Sequence, residues 1–138
     1  DGMAIFEFGK IKQTVFFKAS PLEVYLAIID PKRHSAFTGS KATCTPKVGG
    51  KFSAWDGYCF GENLELIEGK KIVQTWKTSE WPDGYPASKI EFVFKAEKGG
   101  TKMTFTQTDA PKEQMQDYEQ GWKDNYWDLM KTYFAKKK

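Results

Sequence analysis

Apolar and polar residues alternate from the first ordered stretch of the chain. Over residues 10–18, Ile11, Gln13, Val15 and Phe17 fall on one side and Lys12, Thr14, Phe16 and Lys18 on the other, which predicts a strand. The spacing then changes. Ser20-Pro21-Leu22-Glu23 supplies an N-cap hydroxyl, a proline at the first helical position and a glutamate three residues past the cap. A helix therefore starts at Pro21 and carries Leu22, Val24, Tyr25, Ala27, Ile28 and Ile29 as far as Asp30-Pro31. Residues 31–37 predict a second short helix that stops at Gly39.

From Lys41 onward the pattern returns to alternation, now punctuated by glycine. Short strands are expected over residues 42–45 and 51–55 around Gly49-Gly50, then a longer one over 58–67, entered through the two-residue turn Asp56-Gly57. Gly61 is the expected site of a bulge in it. Strands over 71–79, 88–96 and 101–108 follow, linked by Glu68-Gly69-Lys70, by the turn-rich loop 81–86 and by residues 97–100. Residues 111–136 read as one amphipathic helix, roughly 36 Å long, with Met115, Tyr118, Trp122, Tyr126, Leu129 and Tyr133 three or four apart. Trp127, Met130 and Phe134 widen its apolar face, while Asp117, Asp124, Asp128 and Lys131 point away.

The order strand, two helices, six antiparallel strands and a long terminal helix describes an α+β domain in which a curved sheet wraps the last helix. It is read as a single domain over 1–138, with 1–9 flexible or appended, Asp1-Gly2 a remnant and Met3 the natural start. Phe52, Ile72, Trp76, Ile90, Phe92, Phe94, Met103 and Phe105 are the sheet residues expected to face Trp122, Tyr126, Leu129 and Met130 on the helix.

Composition narrows what such a domain can do. The aromatic share of 16% is high, which suggests a large aromatic-walled interior. The 21 basic and 18 acidic residues are interspersed, and the lysines at 136–138 equal the whole net excess of +3. Nucleic-acid binding, which needs a basic stripe, is not expected. Cys44 and Cys59 have no CxxC spacing and the chain holds one histidine, so no metal site is expected. Two reduced thiols, no apolar run of about 20 residues and no leader peptide predict a cytoplasmic protein that does not enter a membrane.

A set of ordered motifs resembles one known family. They are Ser20-Pro21 with Tyr25, Ala36-Phe37-Thr38, Gly49-Gly50-Lys51-Phe52, Asp56-Gly57, Gly61-Glu62, Ile72-Val73 before Trp76, Trp81-Pro82 with Gly84, and Gly121-Trp122 with Tyr126. Together they resemble the homologues of activators of the 90-kDa heat-shock protein ATPase, in the START-like superfamily. The resemblance implies the helix-grip fold, no cofactor and a co-chaperone-like partner, a 90-kDa heat-shock chaperone. The superfamily's habit implies an alternative: an apolar small molecule carried between sheet and helix. In eukaryotic activators the resembling domain is the C-terminal half, so the resemblance covers docking rather than a whole activator.

Candidate site residues divide accordingly. Phe52, Trp76, Phe92, Phe94, Phe105, Trp122, Tyr126 and Met130 either line a ligand cavity or fill the core. Glu62 shares the parity of Tyr58, Phe60, Leu64 and Leu66, which would turn it inward as a polar anchor; the alternative is a salt bridge or sheet-edge position. Trp81 and Tyr85, aromatics in a loop, are the candidate protein-interface residues, although a loop tryptophan can also cap its own sheet. No catalytic residue is predicted. His34 lacks a partner for acid–base work, no second histidine completes a triad, and Gly49-Gly50 lacks the lysine and serine of a phosphate loop. A polyketide-cyclase-like enzyme would need polar groups converging inside, and only Glu62, Gln107 and tyrosine hydroxyls are on offer.

Overall fold

The computed structural model describes residues 5–136; the expected remnant Asp1-Gly2, the start at Met3 and the last two lysines lie outside the described residues. Seven antiparallel strands form one sheet in the order β1-β7-β6-β5-β4-β3-β2. They are β1 (Phe8–Phe17), β2 (Thr43–Cys44), β3 (Lys51–Ala54), β4 (Cys59–Ile67), β5 (Lys71–Thr78), β6 (Ser88–Glu97) and β7 (Gly100–Pro111). Between β1 and β2 run α1 (Pro21–Ile29) and α2 (Pro31–Thr38).

The helix boundaries follow from local chemistry. Ser20 Oγ accepts from the Glu23 backbone N–H and Glu23 Oε1 from the Ser20 N–H, each at 3.2 Å, so two otherwise unpaired donors at the start of α1 are satisfied. Asp30 ends α1 and caps α2 through Lys32 N–H at 3.0 Å. Gly39 closes α2 in the left-handed region, at φ 75°.

The edge of the sheet is longer than the pattern predicts. β1 begins at Phe8, opposite Pro111, and β7 continues through Asp109 to Pro111 instead of stopping at Thr108. The register shifts between Gly9 and Ile11, and Asp109, at φ 64°, absorbs the extra residue as a bulge. The expected bulge at Gly61 lies instead at Leu64, where the β4–β5 register changes between Asn63 and Glu65. Gly61 serves close packing: a Cβ there would collide with the Thr75 carbonyl oxygen and approach the Phe52 ring to 2.9 Å. Gly61→Ala is therefore expected to cost about 2 kcal/mol or more, read as a lowered denaturant midpoint with an unchanged slope.

The terminal helix is not uniform. A 3-10 turn (Lys112–Gln114) leads into α3 (Met115–Trp122), then a π-helical turn (Lys123–Trp127), then α4 (Asp128–Lys136). In the π turn the Asp128 N–H reaches back five residues to the Lys123 carbonyl, which inserts an extra residue and lets the adjacent Tyr126 and Trp127 both turn inward. One side chain bridges this segment to the sheet. Gln13 Nε2 donates to the Glu119 carbonyl at 3.0 Å, before the turn, and Gln13 Oε1 accepts from the Trp127 indole at 2.6 Å, at its end. The buried stripe is thus Tyr118, Trp122, Tyr126, Trp127, Met130 and Phe134, while Leu129 and Tyr133 are only half-buried at its margin. No helix among the described residues is long and apolar enough to cross a membrane.

Candidate functional site

The space between sheet and helix is nearly full. Trp122 sits at its centre, with ring centroids 4.4 Å from Phe105, 5.2 Å from Trp76, 4.9 Å from Tyr126 and 5.5 Å from Trp127. Its indole N–H donates to Gln107 Oε1 at 2.9 Å, and Gln107 Nε2 donates to Ser88 Oγ at 3.1 Å. The space beside Phe52, Trp76, Phe92, Trp122 and Tyr126 measures about 10 Å³, room for about one water. Phe94, Phe105 and Met130 are buried in the same core. The predicted cavity aromatics are brought together in one core, and Trp76, Trp122 and Tyr126 among them also face an open groove.

Glu62 is not among them. It is exposed, because the inward side of β4 carries Cys59 and Asn63, and the bulge at Leu64 reverses the parity that Leu66 follows. Asn63 is tolerated inside because it is satisfied: it donates to the Thr45 and Lys47 carbonyls at 3.0 and 3.2 Å and accepts from Gln74 at 2.9 Å.

His34 lies buried against the helix. Its Nδ1 is 3.0 Å from the Ile28 carbonyl, which can only accept, so Nδ1 carries the proton and Nε2 accepts from the Tyr126 hydroxyl at 2.9 Å. Burial lowers the His34 pKa, raises the Tyr126 phenol and pushes the neighbouring Cys59 thiol up to about 11. All three are held neutral near pH 7. No activated nucleophile or base results.

This gives a pH-dependent stability. The folded-state pKa of His34 lies below its ordinary 6.5, so the unfolded chain binds the proton more readily. Stability is present above that value and falls as pH drops through it, by at most about 1.4 kcal/mol per pH unit. Thermal unfolding from about pH 7 to pH 5 is expected to show a decline that is shallower in His34→Gln, since the chain has a single histidine.

Beside this core an open groove of about 350 Å³ lies between the β3–β4 turn and the helix. Trp55, Tyr58, Cys59, Trp76, Tyr118, Trp122 and Tyr126 line it together with Asp117, Gly121 and Asn125. The turn that shapes it has four residues, 55–58, rather than the expected two. Trp55, Asp56 and Gly57 all have positive φ, at 54°, 56° and 89°. For a tryptophan this costs roughly 1–2 kcal/mol, and the chain fixes it by an Asp56 N–H bond to the Lys41 carbonyl at 2.9 Å. Apart from Trp76, Trp122 and Tyr126, none of these groove residues is a site candidate from the sequence. The available signal was a tryptophan placed inside turn chemistry at Trp55-Asp56-Gly57.

The loop aromatics separate. Trp81 is half-buried, stacked on Tyr118 with centroids 6.0 Å apart, and its indole donates to the Pro86 carbonyl at 3.0 Å, so it caps its own sheet. Tyr85 instead joins a surface cluster. Its ring lies 4.8 Å from Phe6 and 5.7 Å from Phe8, and its hydroxyl accepts from the Glu7 N–H at 3.1 Å. Phe6 and Phe8 remain 41% and 40% exposed, and Ile5 beside them 78%.

Comparison with known proteins places this arrangement. Residues 18–135 match the family profile described as Activator of Hsp90 ATPase homolog 1-like protein. The Activator of 90 kDa heat shock protein ATPase homolog of Dictyostelium discoideum is 35% identical over 120 residues, covering 86% of this chain and 31% of that protein. The human Activator of 90 kDa heat shock protein ATPase homolog 1 is 32% identical over 125 residues, covering 91% of this chain and 36% of that protein. This chain thus spans about a third of the length of these relatives. The crystal structure of an HSP90 activator from Plasmodium falciparum has the same fold, with a TM-score of 0.82 at 24% identity over 91% of this chain and 96% of that one.

Proposed function

The chain belongs to the family of Activator of Hsp90 ATPase homolog 1-like proteins, and from that premise we propose that it is a non-enzymatic protein-binding domain that docks on a 90-kDa heat-shock chaperone. The carrying observation is the match across residues 18–135 to a domain of proteins named as activators of that chaperone's ATPase. Two physical features support it. His34 bonds to Tyr126 and Cys59 to the Ala54 carbonyl, and all three are held neutral, so none of them offers an activated base or nucleophile. The space among Phe52, Phe92 and Trp122 has only about 10 Å³ free, and in this reading chaperone recognition falls to the outside of the fold.

The docking surface in this reading is the aromatic cluster of Phe6, Phe8 and Tyr85, with Ile5 at its margin. Large exposed aromatics held in place by backbone hydrogen bonds lose little conformational freedom on binding. The Tyr85–Glu7 bond and the Lys112 N–H bond to the Glu7 carbonyl at 2.9 Å provide that restraint. Trp81, stacked on Tyr118 and bonded to the Pro86 carbonyl, is held against the fold in this reading rather than offered to a partner. The role places the chain in the cytoplasm, without nucleic acid or membrane as partner.

Isothermal titration into a purified 90-kDa heat-shock chaperone is expected to show saturable heat. A flat titration at concentrations on the order of 50 µM, together with an unchanged ATPase rate, would sink this reading.

A further inference from the structure

We infer that the groove between the β3–β4 turn and α3 is a binding site for a small organic cation of the alkylammonium class, independently of whether the chain docks on a chaperone. Its volume of about 350 Å³ falls in the range of small-molecule sites. Its composition decides the class of ligand. Six aromatic side chains, Trp55, Tyr58, Trp76, Tyr118, Trp122 and Tyr126, form the walls. The faces of such rings carry the negative part of the quadrupole and attract a cation.

The charges agree in sign. Asp117 is the one acidic residue lining the groove, and no lysine or arginine lines it, although basic residues outnumber acidic ones 21 to 18 in the whole chain. A second carboxylate stands close by: Glu80 Oε1 accepts the Tyr58 hydroxyl at 3.2 Å. Both carboxylates bear on the Tyr118 phenol, which is pushed up to about 12, first by burial and further by neighbouring negative groups including Glu80 and Asp117. Burial disfavours either charge there, and the neighbouring carboxylates, which further oppose a phenolate, favour an ammonium ion.

Choline and its uncharged carbon isostere, 3,3-dimethylbutan-1-ol, separate charge from shape. In NMR titrations the indole N–H signals of the chain report occupancy, and choline is expected to shift the Trp55 signal saturably while those of Trp81 and Trp127 stay in place. Choline should bind at least about threefold to fivefold more tightly than the alcohol, and Asp117→Asn should remove most of that preference. Asp117 is exposed, so the variant keeps the fold. Equal affinity for the two probes, an unchanged preference in the variant, or no saturable shift at Trp55 would each overturn the assignment.

Discussion

Trp122→Ala is expected to lower stability by about 3–5 kcal/mol, and the melting temperature by roughly 10–20 °C. The reason lies in what this one ring touches. It packs against Trp76, Phe92, Phe105, Tyr126 and Trp127, so truncation removes apolar contact from both the sheet and the helix. On the side of Phe52 and Phe92 only about 10 Å³ is free, so the packed sheet residues have little slack with which to refill the gap. Gln107 Oε1 also loses the indole N–H at 2.9 Å, and a buried acceptor left without a donor costs about 1–3 kcal/mol. Trp122→Phe retains most of the ring and loses that hydrogen bond, so the difference between the two variants in chemical denaturation isolates packing from polar satisfaction. A loss below about 1 kcal/mol for the alanine variant would mean that the core is not closed as described.

The second large effect concerns recognition. Replacing Phe6, Phe8 and Tyr85 together by alanine is expected to weaken chaperone binding by about 30-fold or more, the equivalent of one hot-spot cluster of about 2 kcal/mol. Their rings lie within 6.3 Å of one another and stay partly exposed, so the substitution strips a contiguous patch while leaving the buried core intact. Calorimetric titration beside the unaltered chain checks it. Undiminished affinity in the triple variant would move the docking surface elsewhere on the fold.

How much of this the sequence revealed depends on the range of the interaction behind each feature. Ser20 and Glu23 bond to each other's backbone across three residues, and Asp30 caps α2 two residues away, so both helix starts were legible. The order of strands and the wrapping of the last helix were legible for the same reason, since alternation and turn chemistry are local. The facing of β4 was not. Tyr58, Phe60 and Leu64 are apolar yet exposed, whereas Asn63 is polar yet buried, because its partners at Thr45, Lys47 and Gln74 come from elsewhere in the fold. Parity alone would turn Glu62 inward, and it lies on the outer side, which the alternative of a sheet-edge or salt-bridge position allows.

Long range also hid the shape of the terminal helix. Its π turn is bridged by Gln13, more than 100 residues away in sequence, and no periodicity encodes that contact. The groove escaped notice because Trp55 occupies a conformation that favours glycine, which no propensity assigns to tryptophan. Trp81 and Tyr85 looked equivalent as loop aromatics. Only the fold separates them, by seating Trp81 on Tyr118 and leaving Tyr85 among Phe6 and Phe8 at the surface.

The protein-binding role is tested most directly by titrating the isotope-labelled chain with a 90-kDa heat-shock chaperone and following the amide spectrum. The role proposed here predicts shifts or broadening that begin at residues 5–8 and 84–85 and leave the outer face of β6 and β7 unchanged. A spectrum that stays the same throughout, at chaperone concentrations on the order of 100 µM, would contradict it.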